Sequence, residues 1–138
     1  KHAAMGIIPL DEDLNTYLVG QWRYPLNAYS WEIPMGGGQL DQDLLGSAKR
    51  ELLEETGITA TRWQELSKVH LSNSVSDEVG YIYLAKGLTF GATQFDESED
   101  LMIKKLPLKK AIEMCLEGSI TDSLSLIGLL KLARTYSF

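Results

Sequence analysis

The residues best suited to chemistry in this chain are the carboxylates of one run, Arg50-Glu51-Leu52-Leu53-Glu54-Glu55-Thr56-Gly57-Ile58, set behind a cluster of glycines at Gly36, Gly37 and Gly38. Several carboxylates on one short helix, beside a glycine loop that lets backbone approach a phosphate, suit a divalent cation and a phosphorylated substrate. At about 100° per residue, Glu51 and Glu55 lie one turn apart on the same helix face. Leu44, Leu45, Ala48 and Leu52 form the apolar stripe of that helix. On the helical wheel Glu55 falls between Leu44 and Ala48, and Glu51 sits at the edge of the stripe. Both carboxylates are therefore expected to face the protein body, where unpaired negative charge is costly and a bound Mg²⁺ would offset it. Arg50 and Glu54 share a different face, from which the guanidinium is expected to pin the helix to the glycine loop. Gly57 ends the helix as a left-handed cap, and Ile58 restarts an apolar segment.

The elements that must position these groups follow from the patterning. Residues 3–9 and 16–24 read as strands separated by the acidic turn Asp11-Glu12-Asp13. Residues 31–33 form a short strand leading through Pro34 into the glycine loop. The carboxylate helix spans about residues 43–56, with Gly46 an internal weak point worth about 1 kcal/mol. Residues 62–71 and 78–86 are strands, and a loop rich in small and acidic residues occupies 87–99. A strand near 101–106 follows, then a helix opened by Pro107 and broken at Gly118, then a last helix over about 122–136. Strands interleaved with helices at these lengths predict an α/β sandwich around a mixed sheet.

At 138 residues the chain is one domain, 44% hydrophobic and 23% charged, as in ordinary globular proteins. It has no apolar stretch of about 18 residues and no leader pattern, so neither a membrane span nor secretion is expected. Its net charge of −6 argues against nucleic acid as a partner, which needs a basic surface. A lone cysteine, Cys115, excludes an internal disulfide, fits the reducing cytoplasm, and reads as core filler on an amphipathic helix. His2 and His70 lack a partner at metal-ligand spacing.

Gly36, five residues, position 42, seven residues, then Arg50-Glu51-Leu52-x-Glu54-Glu55-x-Gly57-Ile58 resembles the Nudix box of the Nudix hydrolases. Eight of its nine defined positions agree, and the exception is Gln42, where the family has Glu. Asp41 and Asp43 flank it. The resemblance extends over the whole chain and implies a Nudix fold, an α/β/α sandwich around a mixed β-sheet. It also implies Mg²⁺, or Mn²⁺, held by Glu51, Glu55 and the carbonyl of Met35, with Glu54 and Arg50 beside them in the catalytic machinery.

Outside the box, Gln21-Trp22-Arg23-Tyr24 and Trp31-Glu32-Ile33-Pro34-Met35 are similar to the segment before the box in ADP-ribose and nucleotide-sugar pyrophosphatases. This similarity implies substrate binding by Arg23, Trp22 and Glu32. The late cluster Asp96-Glu97-Ser98-Glu99-Asp100 resembles the loop that closes over the metals in the ADP-ribose branch. It implies Glu97 as catalytic base and Glu99 as a further metal ligand. Ser72 to Glu78 resembles that branch's Ser-Pro-Gly-x-Ser-x-Glu loop, with Asn73 and Ser74 in place of its proline and glycine. The implied activity is cleavage of a nucleoside diphosphate derivative, ADP-ribose or a nucleotide sugar, by a homodimer. The competing reading, motivated by Gln42, is a non-catalytic nucleotide-binding sensor.

Overall fold

A computed structural model describes residues 2–40, 42–91 and 102–138. Among the described residues, seven strands and three helices follow one another as β1 His2–Pro9, β2 Asn15–Arg23, β3 Ala28–Glu32, β4 Met35–Gln39, α1 Leu44–Thr56, β5 Ile58–His70, β6 Val79–Phe90, β7 Met102–Pro107, α2 Leu108–Glu117 and α3 Ser123–Thr135. A short 3-10 turn, Tyr24–Leu26, joins β2 to β3.

The strands form two sheets. A mixed sheet runs β4-β1-β6-β5, with β1 and β6 parallel and the other pairs antiparallel. An antiparallel sheet runs β3-β2-β7. Side chains alternate across β1, as the period of a strand requires. Met5 and Ile7 pack with Ala48 and Leu52 of α1, whereas Ile8 packs with α2 and α3 through Ala111, Ile112, Leu124 and Leu129. Helices thus cover both faces of the mixed sheet, the layered architecture expected for a buried central strand. Gly128 lets α3 lie close against it: a Cβ there would stand 2.8 Å from Ile8 and 2.9 Å from Ile82.

The structure corrects several expectations. The glycine cluster is a strand rather than a loop: β4 pairs with β1 in register from His2↔Gln39 to Gly6↔Met35. Its missing side chains serve close packing, with Leu44 and Ser47 of α1 lying over Gly38. The β5–β6 ribbon extends further at its open end than the hydrophobic runs suggested, and at the hairpin end it stops one residue short on each strand, at His70↔Val79. Pairing continues past Gly87, which bends at φ +68, to Ile58↔Phe90. Cys115 is buried as expected, and desolvation pushes its thiol up to about 11, which leaves it unreactive. Among the described residues, no helix is long and apolar enough to cross a membrane.

Candidate active site

The helix that carries the carboxylates is set by its own ends. At the N-cap, Asp43 accepts the Gly46 N–H at 3.0 Å. A Cβ on Gly46 would sit 2.5 Å from Asp43 Oδ2. Gly46 is therefore less a weak point than the residue that gives the cap carboxylate room. At the other end Gly57 takes φ +74 and donates to Leu53 O. Thr56 Oγ1 donates to Leu52 O at 2.6 Å and accepts the Ile58 N–H at 3.2 Å. Burial of Ser47, Ala48, Leu52 and Thr56 then fixes how α1 is rolled on the sheet.

That roll brings Glu51 and Glu55 over the corner where β4 begins. Glu55 Oε2 accepts the Met35 backbone N–H at 3.3 Å. Glu51 lies across Gly36, where an added Cβ would come within 2.6 Å of its Cδ. Both glutamates are half-buried, while Glu54 and Arg50 are exposed. Burial, followed by the neighbouring charge of Glu54, pushes the Glu51 carboxyl above its ordinary value, with Arg50 acting in the opposite direction. Arg50 differs from expectation: its guanidinium donates to Ser47 Oγ at 3.2 Å, one turn back on the same helix, instead of reaching the glycine segment.

Arg23, at the turn end of β2, reaches along the β2–β3 hairpin to Glu32, which lies opposite Val19. Arg23 Nε donates to Glu32 Oε2 at 3.0 Å and its NH2 to Oε1 at 2.6 Å. The Glu32 side chain is 6% exposed and that of Arg23 39%, so this fork neutralises a buried carboxylate. One edge of the guanidinium expected to bind phosphate is thus taken by Glu32. The bond to Glu32 holds Arg23 charged against desolvation, helped by the fields of Glu32, Asp122 and Glu55, so it shares an electrostatic neighbourhood with α1. Trp22 is part exposed and meets the outward-facing Tyr24 edge to face at 6.3 Å.

A contact from the far end of the chain, absent from the sequence reading, holds the link between β3 and β4 that joins these two groups. The Ile33 N–H donates to Ser125 Oγ at 3.0 Å, and Ser125 Oγ donates to Asp122 Oδ2 at 2.9 Å. Asp122 also caps α3 through the Ser125 N–H. In sequence, Asp122-x-x-Ser125 carries only the signal of a helix start.

Gln42 is exposed and donates its N–H to Gln39 O at 3.1 Å. With His2, Gly37, Gly38 and Glu78 it lines an open cavity of about 440 Å³. Asp43 is engaged as a cap, and Asp41, Glu97 and Glu99 lie outside the described residues. Among the described residues, no three His, Cys, Asp or Glu side chains gather closely enough to hold a metal ion. Mg²⁺ asks less of a protein than a full cage: one or two carboxylates suffice when substrate phosphates and waters complete its shell. Glu51 and Glu55, flanking Met35 and Gly36, fit that sparse demand.

A model of the NUDIX domain matches residues 1–118. An ADP-ribose pyrophosphatase of Mycobacterium tuberculosis is 32% identical over 92% of this chain and 63% of its own length. A methanol dehydrogenase activator of Bacillus methanolicus is 32% identical over 91% of this chain and 69% of its own. Among solved structures, an ADP compounds hydrolase superposes with a TM-score of 0.86 at 20% identity, covering 99% of this chain and 74% of that one. The chain thus spans less than two thirds of the mycobacterial relative's length.

Proposed function

The chain belongs to the NUDIX domain family, and we propose that it is a metal-dependent pyrophosphohydrolase of nucleoside diphosphate derivatives. ADP-ribose is the first choice of substrate and nucleotide sugars the next, with a nucleoside monophosphate and a sugar phosphate as products. The observation that carries this reading is the convergence of Glu51 and Glu55 on the Met35–Gly36 corner, within the electrostatic reach of Arg23. The mycobacterial relative's description as an ADP-ribose pyrophosphatase supports the choice of substrate.

Mg²⁺ or Mn²⁺, once bound, would polarise the diphosphate and lower the pKa of a water. Glu51, Glu55 and the carbonyl of Met35 would hold it, and we assign Glu99 as a further ligand. Around the metal, Arg23 orients the substrate with its free edge while Glu32 keeps the guanidinium in place. Trp22 offers a face for stacking a base. Glu97 is assigned as the proton acceptor, with Glu54 and Arg50 completing the acidic helix. A second copy of the chain is part of the proposal, and sedimentation analysis reads it directly.

The competing reading, a nucleotide-binding sensor, is favoured by one observation. Gln42 supplies no charge, and Asp43 is committed to its cap. Incubating the protein with ADP-ribose and a panel of nucleotide sugars, with Mg²⁺ or Mn²⁺, decides between them. Hydrolysis that falls about 100-fold in Glu55→Gln supports the enzyme. Binding of ADP-ribose with metal and no hydrolysis of any panel member supports the sensor.

A further inference from the structure

At the end of the mixed sheet where β1 runs out, a cavity of about 630 Å³ is lined by the cations Arg62, Lys86 and Lys105 and by the carboxylates Asp11, Glu12 and Asp13. None of the described residues assigned above to the active site lines it. Arg62 and Lys86 are directly opposite partners on the paired strands β5 and β6. Like charges facing each other across a strand pair destabilise a sheet. Among the described residues, no carboxylate is within salt-bridge distance of either. Lys86 instead lies over the face of Tyr136, 5.5 Å from its Nζ.

The acidic turn that shares the cavity makes no salt bridge with the pair among the described residues. Asp11, its innermost carboxylate, accepts from the backbone N–H groups of Asp13 and Asn15 and from the Tyr17 hydroxyl. Phe90, four residues along β6 from Lys86, is 54% exposed and tilts against the buried Tyr17 with ring centroids 5.2 Å apart. A repelling cation pair and an exposed aromatic wall break local rules of stability, and such violations collect at functional sites.

We propose that this cavity is a second binding site, for a nucleoside monophosphate. Its phosphate sits between the Arg62 fork and the Lys86 ammonium, which the anion relieves of their repulsion. Its base lies against the exposed ring of Phe90. The ribose hydroxyls donate to the exposed carboxylates of Glu12 and Asp13. This site needs no metal and does not depend on the hydrolase reading.

Calorimetric titration of the native chain with AMP, adenosine and inorganic phosphate, all in the presence of a chelator, tests it. AMP should bind, and adenosine and phosphate should each bind at least about tenfold more weakly, because each lacks one half of the contacts. Arg62→Gln should weaken AMP by about tenfold or more without lowering the melting temperature of the ligand-free protein, since it removes repulsion. Glu55→Gln should leave AMP binding unchanged, whatever it does to hydrolysis. Absence of AMP binding overturns the proposal. So does binding that survives Arg62→Gln with Lys86→Gln, or binding that is lost in Glu55→Gln.

Discussion

The side chain of Glu51 lies so close across Gly36 that one added methyl group on the glycine would overlap it. A strand and a helix therefore meet with a carboxylate pressed between them, and the absence of a side chain at position 36 sets where that carboxylate sits.

Gly36→Ala tests this directly. The methyl group must displace Glu51 or lift α1, and overpacking of this kind costs about 1–3 kcal/mol. Turnover of the hydrolysed substrate should fall about 10- to 100-fold, since small misplacements of catalytic groups are that expensive. Thermal denaturation and initial rates read the two effects, and a variant with native rates would show that Glu51 has room to move.

Positions 42 and 43 separate charge from capping. Gln42→Glu should lower the Mg²⁺ concentration needed for half-maximal rate, if position 42 keeps its family role. Asp43→Ala should instead cost about 1 kcal/mol of stability through loss of the cap, with the metal titration unchanged. A metal titration that shifts with Asp43→Ala and ignores Gln42→Glu would reverse these roles.

Much of this corner was legible in the sequence because helical spacing is a strong signal. The period placed Glu51 and Glu55 on the sheet side of α1, where the structure has them half-buried, and Gly57 as the left-handed cap. The glycine cluster was misread because glycine commonly marks a turn, whereas here pairing with β1 and packing under α1 override that preference. The Arg23–Glu32 fork was hidden because the register pairs Arg23 with Ala28 and Glu32 with Val19, so only a side chain reaching along the hairpin brings the two together. Glu97 and Glu99 fall outside the described residues, so their roles rest on the resemblance.

The contact from Ser125 to the Ile33 N–H predicts a distant effect on the site. Ser125→Ala leaves that buried donor without its partner, a loss of about 1–3 kcal/mol. The link that joins Glu32 to Met35 should loosen with it, so kcat/KM should fall. Leu132→Ala, which empties part of the core elsewhere on α3, should lower the melting temperature without a comparable fall at temperatures well below the transition. Equal kinetic losses in both variants would reduce Ser125 to an ordinary stabilising residue.

Asp11 supplies a pH test. Desolvation raises its pKa, but the bonds from Asn15, Tyr17 and Asp13, with the field of Lys105, outweigh it and leave the carboxyl below its ordinary 3.8. A carboxylate with a lowered folded-state pKa stabilises the fold above its unfolded value and loses that contribution as pH falls. Asp11→Asn should therefore lower the melting temperature at neutral pH, with the gap to the native chain closing as pH drops below about 3.8. A gap that does not change with pH would mean that the side chain acts through shape alone.

The parallel pairing of β1 with β6 has a consequence for how the chain is made. β1 is an inner strand of the mixed sheet, yet its neighbour on one side begins only at Val79. As the chain leaves the ribosome, Met5, Ile7 and Ile8 emerge early and wait for most of the domain before they can be enclosed. Sequence-distant pairings of this kind slow folding and leave apolar strand exposed in the meantime. The inner strands of both sheets share this delay, since β7, the late partner of β2, begins only at Met102.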